Sequence, residues 1–202
     1  MPLRKTTLAL MTSLLLLGTW LSSTAVEAQD LHPSRRSSPA GIARTFVGDT
    51  YIKVVYNRPY KRGRDNIFGT EDSGALVPFG KIWRTGANEA TEITLTGDLR
   101  IGDQNLPAGT YSIFTVPGPE EWSVQFNSAL GLSGTGRFDM ETSQFEPADL
   151  PATEVLNLTV PVVNLEEEVD QLTFAFESKA AGTELCMRWI TTEVCVPIAA
   201  AD

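Results

Sequence analysis

The sequence predicts an all-β protein: a single antiparallel β-sandwich of jelly-roll type, with a closed barrel as the rival arrangement. Three observations lead there. Short β-type runs recur at sandwich-like spacing, separated by Gly, Pro, Asn and Asp. No stretch of the domain sustains the 3.6-residue apolar period of an amphipathic helix. The C-terminal region reads as a hairpin in which apolar, charged and cysteine positions agree on one register.

Taken in order, the runs Ile42 to Val47 and Tyr51 to Tyr56 flank Gly48-Asp49, a tight hairpin turn. From Glu92 to Leu99 the apolar residues Ile93, Leu95 and Leu99 share one side of an alternation. Gly102-Asp103 turns the chain, and Leu106-Pro107-Ala108-Gly109 leads into a strand from Thr110 to Val116. Pro117-Gly118-Pro119 ends that strand, and Trp122 to Phe126 begins the next. Residues 127–152, rich in Gly, Ser and Pro, show no clear strand; a loop this long is functional or disordered, with room for one short helix and the reach to cover a site. Further strands are expected at Val155 to Val163, Gln171 to Phe176, Leu185 to Trp189 and Thr192 to Ile198. The acidic run Glu166 to Asp170 reads as a solvated turn; it lacks the ligand alternation of a calcium loop.

A two-residue turn at Ile190-Thr191 places Leu185, Met187, Trp189, Val194 and Val196 on one face, which is a core face. The other face then pairs Arg188 with Glu193 and Cys186 with Cys195. Two cysteines in an exported chain favour a disulfide, here a staple across the hairpin's outer face, with a pair of free thiols as the alternative.

Export itself is read from the N-terminus. Arg4 and Lys5 precede an apolar run from Leu8 to Leu21, and small residues ending in Val26 and Ala28 follow. That is the layout of a secretory signal peptide over residues 1–28, with cleavage expected before Gln29. The run is shorter than the ~20 residues a membrane span needs. Cys186 and Cys195 are the only cysteines, so none stands where a lipid anchor would attach. The expected product is a periplasmic or extracellular protein without a membrane anchor, with a loose polar leader at 29–39 and one domain at 40–200. Losing Arg4, Lys5 and Glu27 moves the formal charge from −9 to −10. Such acidity argues against nucleic acid and anionic membrane surfaces as partners.

The charge is uneven. Arg58, Lys61, Arg62, Arg64, Lys81 and Arg84 form a basic island, which marks an anion site or pairs with the acidic half. The island lies in the most unusual stretch of the chain, Tyr56 to Thr91, where Arg, Asn, Glu, Gly and aromatic residues concentrate. The strings there are Arg58-Pro59, Arg62-Gly63-Arg64, Ile67-Phe68-Gly69, Leu76 to Gly80 and Trp83 to Thr91; Leu106 to Pro117 follows. With the terminal Leu185 to Ile198 string, these resemble, in order and over about residues 38–198, the exported bacterial family catalogued as domain of unknown function 2911. Asp65-Asn66 and the residues after Gly69 are insertions relative to that pattern, and the Asn127 to Phe138 loop lacks its Trp-Gly. The resemblance carries no established activity.

The ligand-binding candidates are Arg58, Arg64, Trp83, Arg84, Asn88 and Glu89. Planar guanidinium groups suit carboxylates and phosphates, while Asn, Glu and Trp suit hydroxyls and ring faces. The alternative is that Arg84 and Glu89 pair with each other and pin the loop for folding. Catalytic sets are sparse. His32, the only histidine, lies in the leader, which leaves no Ser-His-Asp triad or histidine metal cluster in the domain. No Gly-rich phosphate loop and no cofactor fingerprint is present, so neither cofactor nor metal is expected. Glu89 with Asp98, Asp139 or Glu141 offers glycosidase-like carboxylates, but nothing selects a pair. The expected function is binding of a small polar or anionic ligand in the cell envelope; the alternatives are a structural envelope component and a carboxylate-dependent hydrolase using Glu89.

Overall fold

The computed structural model describes residues 36–139, 141–179 and 182–201. The signal-peptide reading, the cleavage point and His32 lie outside the described residues. The chain forms an all-β sandwich. Its strands are β1 (Ala40–Val47), β2 (Thr50–Asn57), β3 (Phe68–Gly69), β4 (Val77–Pro78), β5 (Thr91–Leu95), β6 (Leu99–Ile101) and β7 (Gln104–Leu106). They continue with β8 (Gly109–Val116), β9 (Glu121–Asn127), β10 (Gly136–Asp139), β11 (Gln144–Pro147), β12 (Glu154–Lys179) and β13 (Gly182–Ala200). Nine of them are hydrogen-bonded in the order β1-β2-β5-β8-β9-β12-β13-β6-β7, antiparallel throughout. The order begins at β1 and ends at β7, so no barrel closes among the described residues.

Hairpins fall where turn chemistry places them. Val47 pairs with Thr50 around Gly48, whose φ of 58° lies in the left-handed region that favours glycine. Ile101 pairs with Gln104 around Gly102-Asp103. The β6–β7 hairpin lies between β5 and β8 in the chain but at the far end of the strand order, so the chain crosses from one sheet to the other and back. Ile52, Val54, Ile93, Leu95, Ile113, Val124 and Phe126 line the inside of the first sheet, each 3 % exposed or less.

The two expected strands Val155 to Val163 and Gln171 to Phe176 are one long strand, β12. Its first part pairs with β9 (Val160 with Trp122) and its last part with the start of β13 (Phe174 with Met187). Between Asn164 and Thr173 the register shifts twice. These bulges let one strand serve both sheets. They also absorb Glu166 to Asp170, which form exposed strand rather than a turn, with Glu168 paired to Lys61 at 2.8 Å.

The C-terminal register is as the sequence reads it. Cys186 and Cys195 are disulfide-bonded with Cα atoms 4.0 Å apart, which forces β13 to double back, and Ile190 at the reversal has φ 51°. Arg188 pairs with Glu193, and also with Glu177 of β12. Leu185, Met187, Trp189, Val194 and Val196 are all core residues, 5 % exposed or less. One detail differs: Cys186 is fully buried although it belongs to the outer face. Residues 127–152 also differ, because they contain the β10–β11 hairpin as well as a short helix α1 (Leu150–Thr153).

Candidate functional site

β2 and β5 are sheet neighbours, Ile52 facing Leu95, yet the whole Arg58-to-Ala90 segment lies between them in the chain. This segment leaves the sheet and is stitched back at three places. Leu172 N–H donates to the Pro59 carbonyl at 3.0 Å and Lys61 N–H to that of Asp170 at 2.7 Å, which ties it to β12. Trp83 exchanges two backbone hydrogen bonds with Thr115 of β8, at 2.7 and 2.9 Å. Glu89 bridges to Ser133 in the 127–152 loop, and Gly134 N–H donates to the Asn88 carbonyl at 3.3 Å. The result is a rigid frame for side chains that a free loop could not hold.

The core supports it from below. Phe68, Trp83, Trp122 and Trp189 form one aromatic cluster, with Phe68 edge-on to each indole at 4.9–5.8 Å. Trp83 and Trp189 stack with centroids 6.1 Å apart and planes 19° apart. The Trp83 indole N–H donates to the Gly86 carbonyl at 3.0 Å, so the buried ring carries no unmet donor. Gly86 suits this close approach, because a Cβ would lie 3.0 Å from the Asn57 carbonyl oxygen and push the two segments apart.

Above the stacked indoles opens a cleft of about 250 Å³. Arg62 and Arg64 stand exposed at its rim, and the half-buried Arg84 lies deeper. Tyr60 and Leu76 complete the rim, Ser38 enters from the N-terminal side, and no carboxylate among the described residues lines the cleft. Arg62 donates to the Ser37 carbonyl at 2.5 Å; Arg64 donates to the carbonyls of Lys61 and Tyr60 at 3.0 and 2.7 Å.

Arg84 is different. Its Nε is buried and has no hydrogen-bond partner among the described residues. Burial pulls the guanidinium pKa down, and the charge of Glu89 offsets part of this. The alternative Arg84–Glu89 ion pair does not form. Glu89 instead accepts both oxygens' contacts from Arg36 Nη1, at 2.5 and 2.8 Å, and a third hydrogen bond from Asn57 Nδ2 at 2.9 Å. Burial alone would raise the Glu89 pKa; the Arg36 and Asn57 contacts outweigh it and hold the carboxyl below its ordinary range.

The other sequence candidates are placed as follows. Arg58 is turned toward β12, donating to the Leu172 carbonyl at 3.1 Å and to Thr173 Oγ1 at 2.9 Å, away from the cleft. Asn88 sits beside the cleft and donates to the Ser38 carbonyl and to Asn57 Oδ1, at 3.2 and 3.3 Å. Arg64, Trp83 and Arg84 line the cleft; Arg58, Asn88 and Glu89 do not. The sequence reading misses Arg36, Asn57 and Trp189 as neighbours of the site. Trp189 carries a signal, since it lies on the core face of the C-terminal hairpin; Arg36 carries none.

Backbone strain gathers in the same segment. Three non-glycine residues there have positive φ: Arg62 (54°), Thr85 (53°) and Asn88 (56°). For β-branched Thr85 this is an unusual conformation. It is held by Thr85 Oγ1 donating to the Ile113 carbonyl at 3.1 Å and by Thr91 Oγ1 donating to the Thr85 carbonyl at 2.7 Å. Strain so fixed is a mark of functional loops.

Carboxylates also gather around the disulfide, as Glu184 with Cys186 and Cys195 and as Glu177 and Glu193 with Cys186. The sulfurs there are bonded to each other, so they are not thiolate ligands.

No curated protein and no solved structure matches the chain. A family model does: residues 38–198, which include every residue that lines the cleft, match the model of the DUF2911 proteins of unknown function, and the chain belongs to that family.

Proposed function

We propose that this is an exported binding domain for a small organic anion, a carboxylate or phosphate joined to a flat or apolar group. The observation that carries the reading is Arg84: a half-buried guanidinium that lines a cleft and is paired with no carboxylate among the described residues. Charges taken out of water are usually paired, so an unpaired guanidinium beside a cleft favours an anion as its partner. Half-burial also gives the charge its strength. A unit charge at about 4 Å gains roughly 4 kcal/mol at an effective dielectric of 20, against about 1 kcal/mol in water. Arg62 and Arg64 at the rim add attraction over a longer range, and the Trp83–Trp189 stack offers the ligand an apolar wall.

Export rests on the N-terminal pattern together with the disulfide, which persists in oxidising compartments. None of the described helices is long and apolar enough to cross a membrane.

The hydrolase reading is less favoured. A general acid needs a raised pKa, whereas Glu89 is held ionised and paired. For Arg58 and Asn88 the folding role has direct support, since each bonds main-chain carbonyls of other segments.

Phenyl phosphate is a suitable probe, because it joins the anion to a ring. Titrated against the protein, it is expected to bind and to change the tryptophan fluorescence. Arg84→Met is expected to weaken binding about tenfold to a hundredfold, the size of a lost charge-assisted hydrogen bond. Equal binding by Arg84→Met would remove the cleft from consideration.

A further inference from the structure

Arg84 and Glu89 stand five positions apart in one short string, with nothing in their chemistry to keep them from pairing. The chain between them folds back on itself, with positive φ at Thr85 and Asn88 and the Thr91 N–H donating to the Arg84 carbonyl at 3.2 Å, yet no ion pair joins Arg84 and Glu89. Another cation has taken the carboxylate. Arg36 holds both Glu89 oxygens from one nitrogen, and its side chain is 23 % exposed against 51 % for Glu89.

The segment carrying Arg36 is seated by its main chain as well. The Ser37 carbonyl accepts from Arg62, the Ser38 carbonyl from Asn88 at 3.2 Å, and the Pro39 carbonyl from the Arg58 N–H at 2.9 Å. Residues 36–39 thus form a strap whose every residue touches the Arg58-to-Glu89 segment. Two of those contacts reach cleft-lining or cleft-adjacent side chains, Arg62 and Asn88.

We infer that Arg36 is a positioning residue for the anion cleft: by engaging Glu89, it prevents that carboxylate from becoming the internal ligand of Arg84. The inference rests on the reading of the cleft as an anion site, but its physical content is separate. A carboxylate tethered beside a half-buried guanidinium competes with any free anion at a high effective concentration. Removing the competitor's charge, or occupying it elsewhere, has the same effect on Arg84. Arg36 does the second, and at the same time adds a positive charge to the neighbourhood.

Two measurements on the full chain test this. In the first, phenyl phosphate is titrated against variants. Arg36→Ala is expected to weaken binding at least tenfold, Arg36→Lys to keep most of it, and the double variant Arg36→Ala/Glu89→Gln to recover to within about threefold of wild type. Loss without recovery in the double variant would mean that Arg36 merely holds the strap, and would overturn the inference. Unchanged binding by Arg36→Ala would overturn it too.

The second measurement needs no ligand. Urea midpoints are compared for Arg84→Met in the wild-type and in the Arg36→Ala background. The substitution is expected to leave the midpoint unchanged in wild type and to lower it once Arg36 is gone, because Arg84 is then paired with Glu89. Equal effects in both backgrounds would refute the switch of partners. If this coupling appears while wild type fails to bind phenyl phosphate, the partner switch stands and the anion-binding reading alone falls.

Discussion

Two arginines in this molecule stand in opposite conditions. Arg188, on the stapled C-terminal hairpin, is gripped by Glu193 across the turn and Glu177 of the neighbouring strand. Arg84, in the long segment between β2 and β5, is also half-buried but finds no acceptor for its Nε among the described residues. The first is a charge neutralised in place, beside a disulfide, where the structure gains from it. The second is a charge the fold holds open against the expected partner. Under the proposed reading, the first region supplies stability and the second supplies binding energy.

The largest expected effect lies on the stability side. Replacing Cys186 and Cys195 together by Ala removes a cross-link over a short loop, worth about 2–3 kcal/mol at most in the chain-entropy picture. Thermal and urea unfolding report it, and phenyl phosphate binding is expected to stay the same. A parallel loss of binding would show that the two regions are coupled and blur the contrast.

Next comes Arg188→Met, which leaves Glu177 and Glu193 without their shared partner and is expected to cost about 1–2 kcal/mol. Its pH dependence has a definite sign. The Glu177 pKa is held down first by Lys179 and then by Arg188, with Glu184 and Glu193 also facing this cluster. A depressed carboxylate contributes stability that is present above its unfolded pKa, about 4.3, and lost as pH falls through the folded value. The gap between wild type and Arg188→Met is therefore expected to shrink in urea melts taken from pH 7 down to about pH 3. A gap that grew in acid would contradict the pairing.

The smallest expected effect is the same substitution at the other arginine. Arg84→Met is expected to shift stability by no more than about 0.5 kcal/mol, or to raise it slightly, since it removes a half-buried charge with no protein acceptor at Nε. Two Arg→Met changes with opposite consequences would sharpen the comparison. A cost at Arg84 equal to that at Arg188 would break it.

Much of the fold could be read from the chain because alternation and turn chemistry agree there. The β13 register needed only that Leu185, Met187, Trp189, Val194 and Val196 share a face, and the Cys186–Cys195 and Arg188–Glu193 pairs followed. The single strand β12 was hidden by its bulges, which carry the acidic run in extended form and break the two-residue period. The β10–β11 hairpin was hidden for another reason: Phe138 and Phe145 face each other but stay about half exposed, so no buried face imposes an alternation.

The site was legible as a location rather than as an arrangement. Composition marks the Tyr56 to Thr91 stretch, and Arg64, Trp83 and Arg84 do meet in the cleft. What sequence spacing could not decide is which way each side chain points. Positive φ at Thr85 and Asn88 turns the chain between Arg84 and Glu89, and Glu89 then meets Arg36, a residue far away in sequence. Arg58 shares the string's chemistry yet serves β12 instead.

The most direct test of the account is a crystal of the protein soaked in selenate and measured at the selenium absorption edge. The account predicts an anomalous peak within hydrogen-bonding reach of the Arg84 guanidinium, with Glu89 still on Arg36. A cleft without selenium, in which Arg84 bonds Glu89 directly, would contradict it.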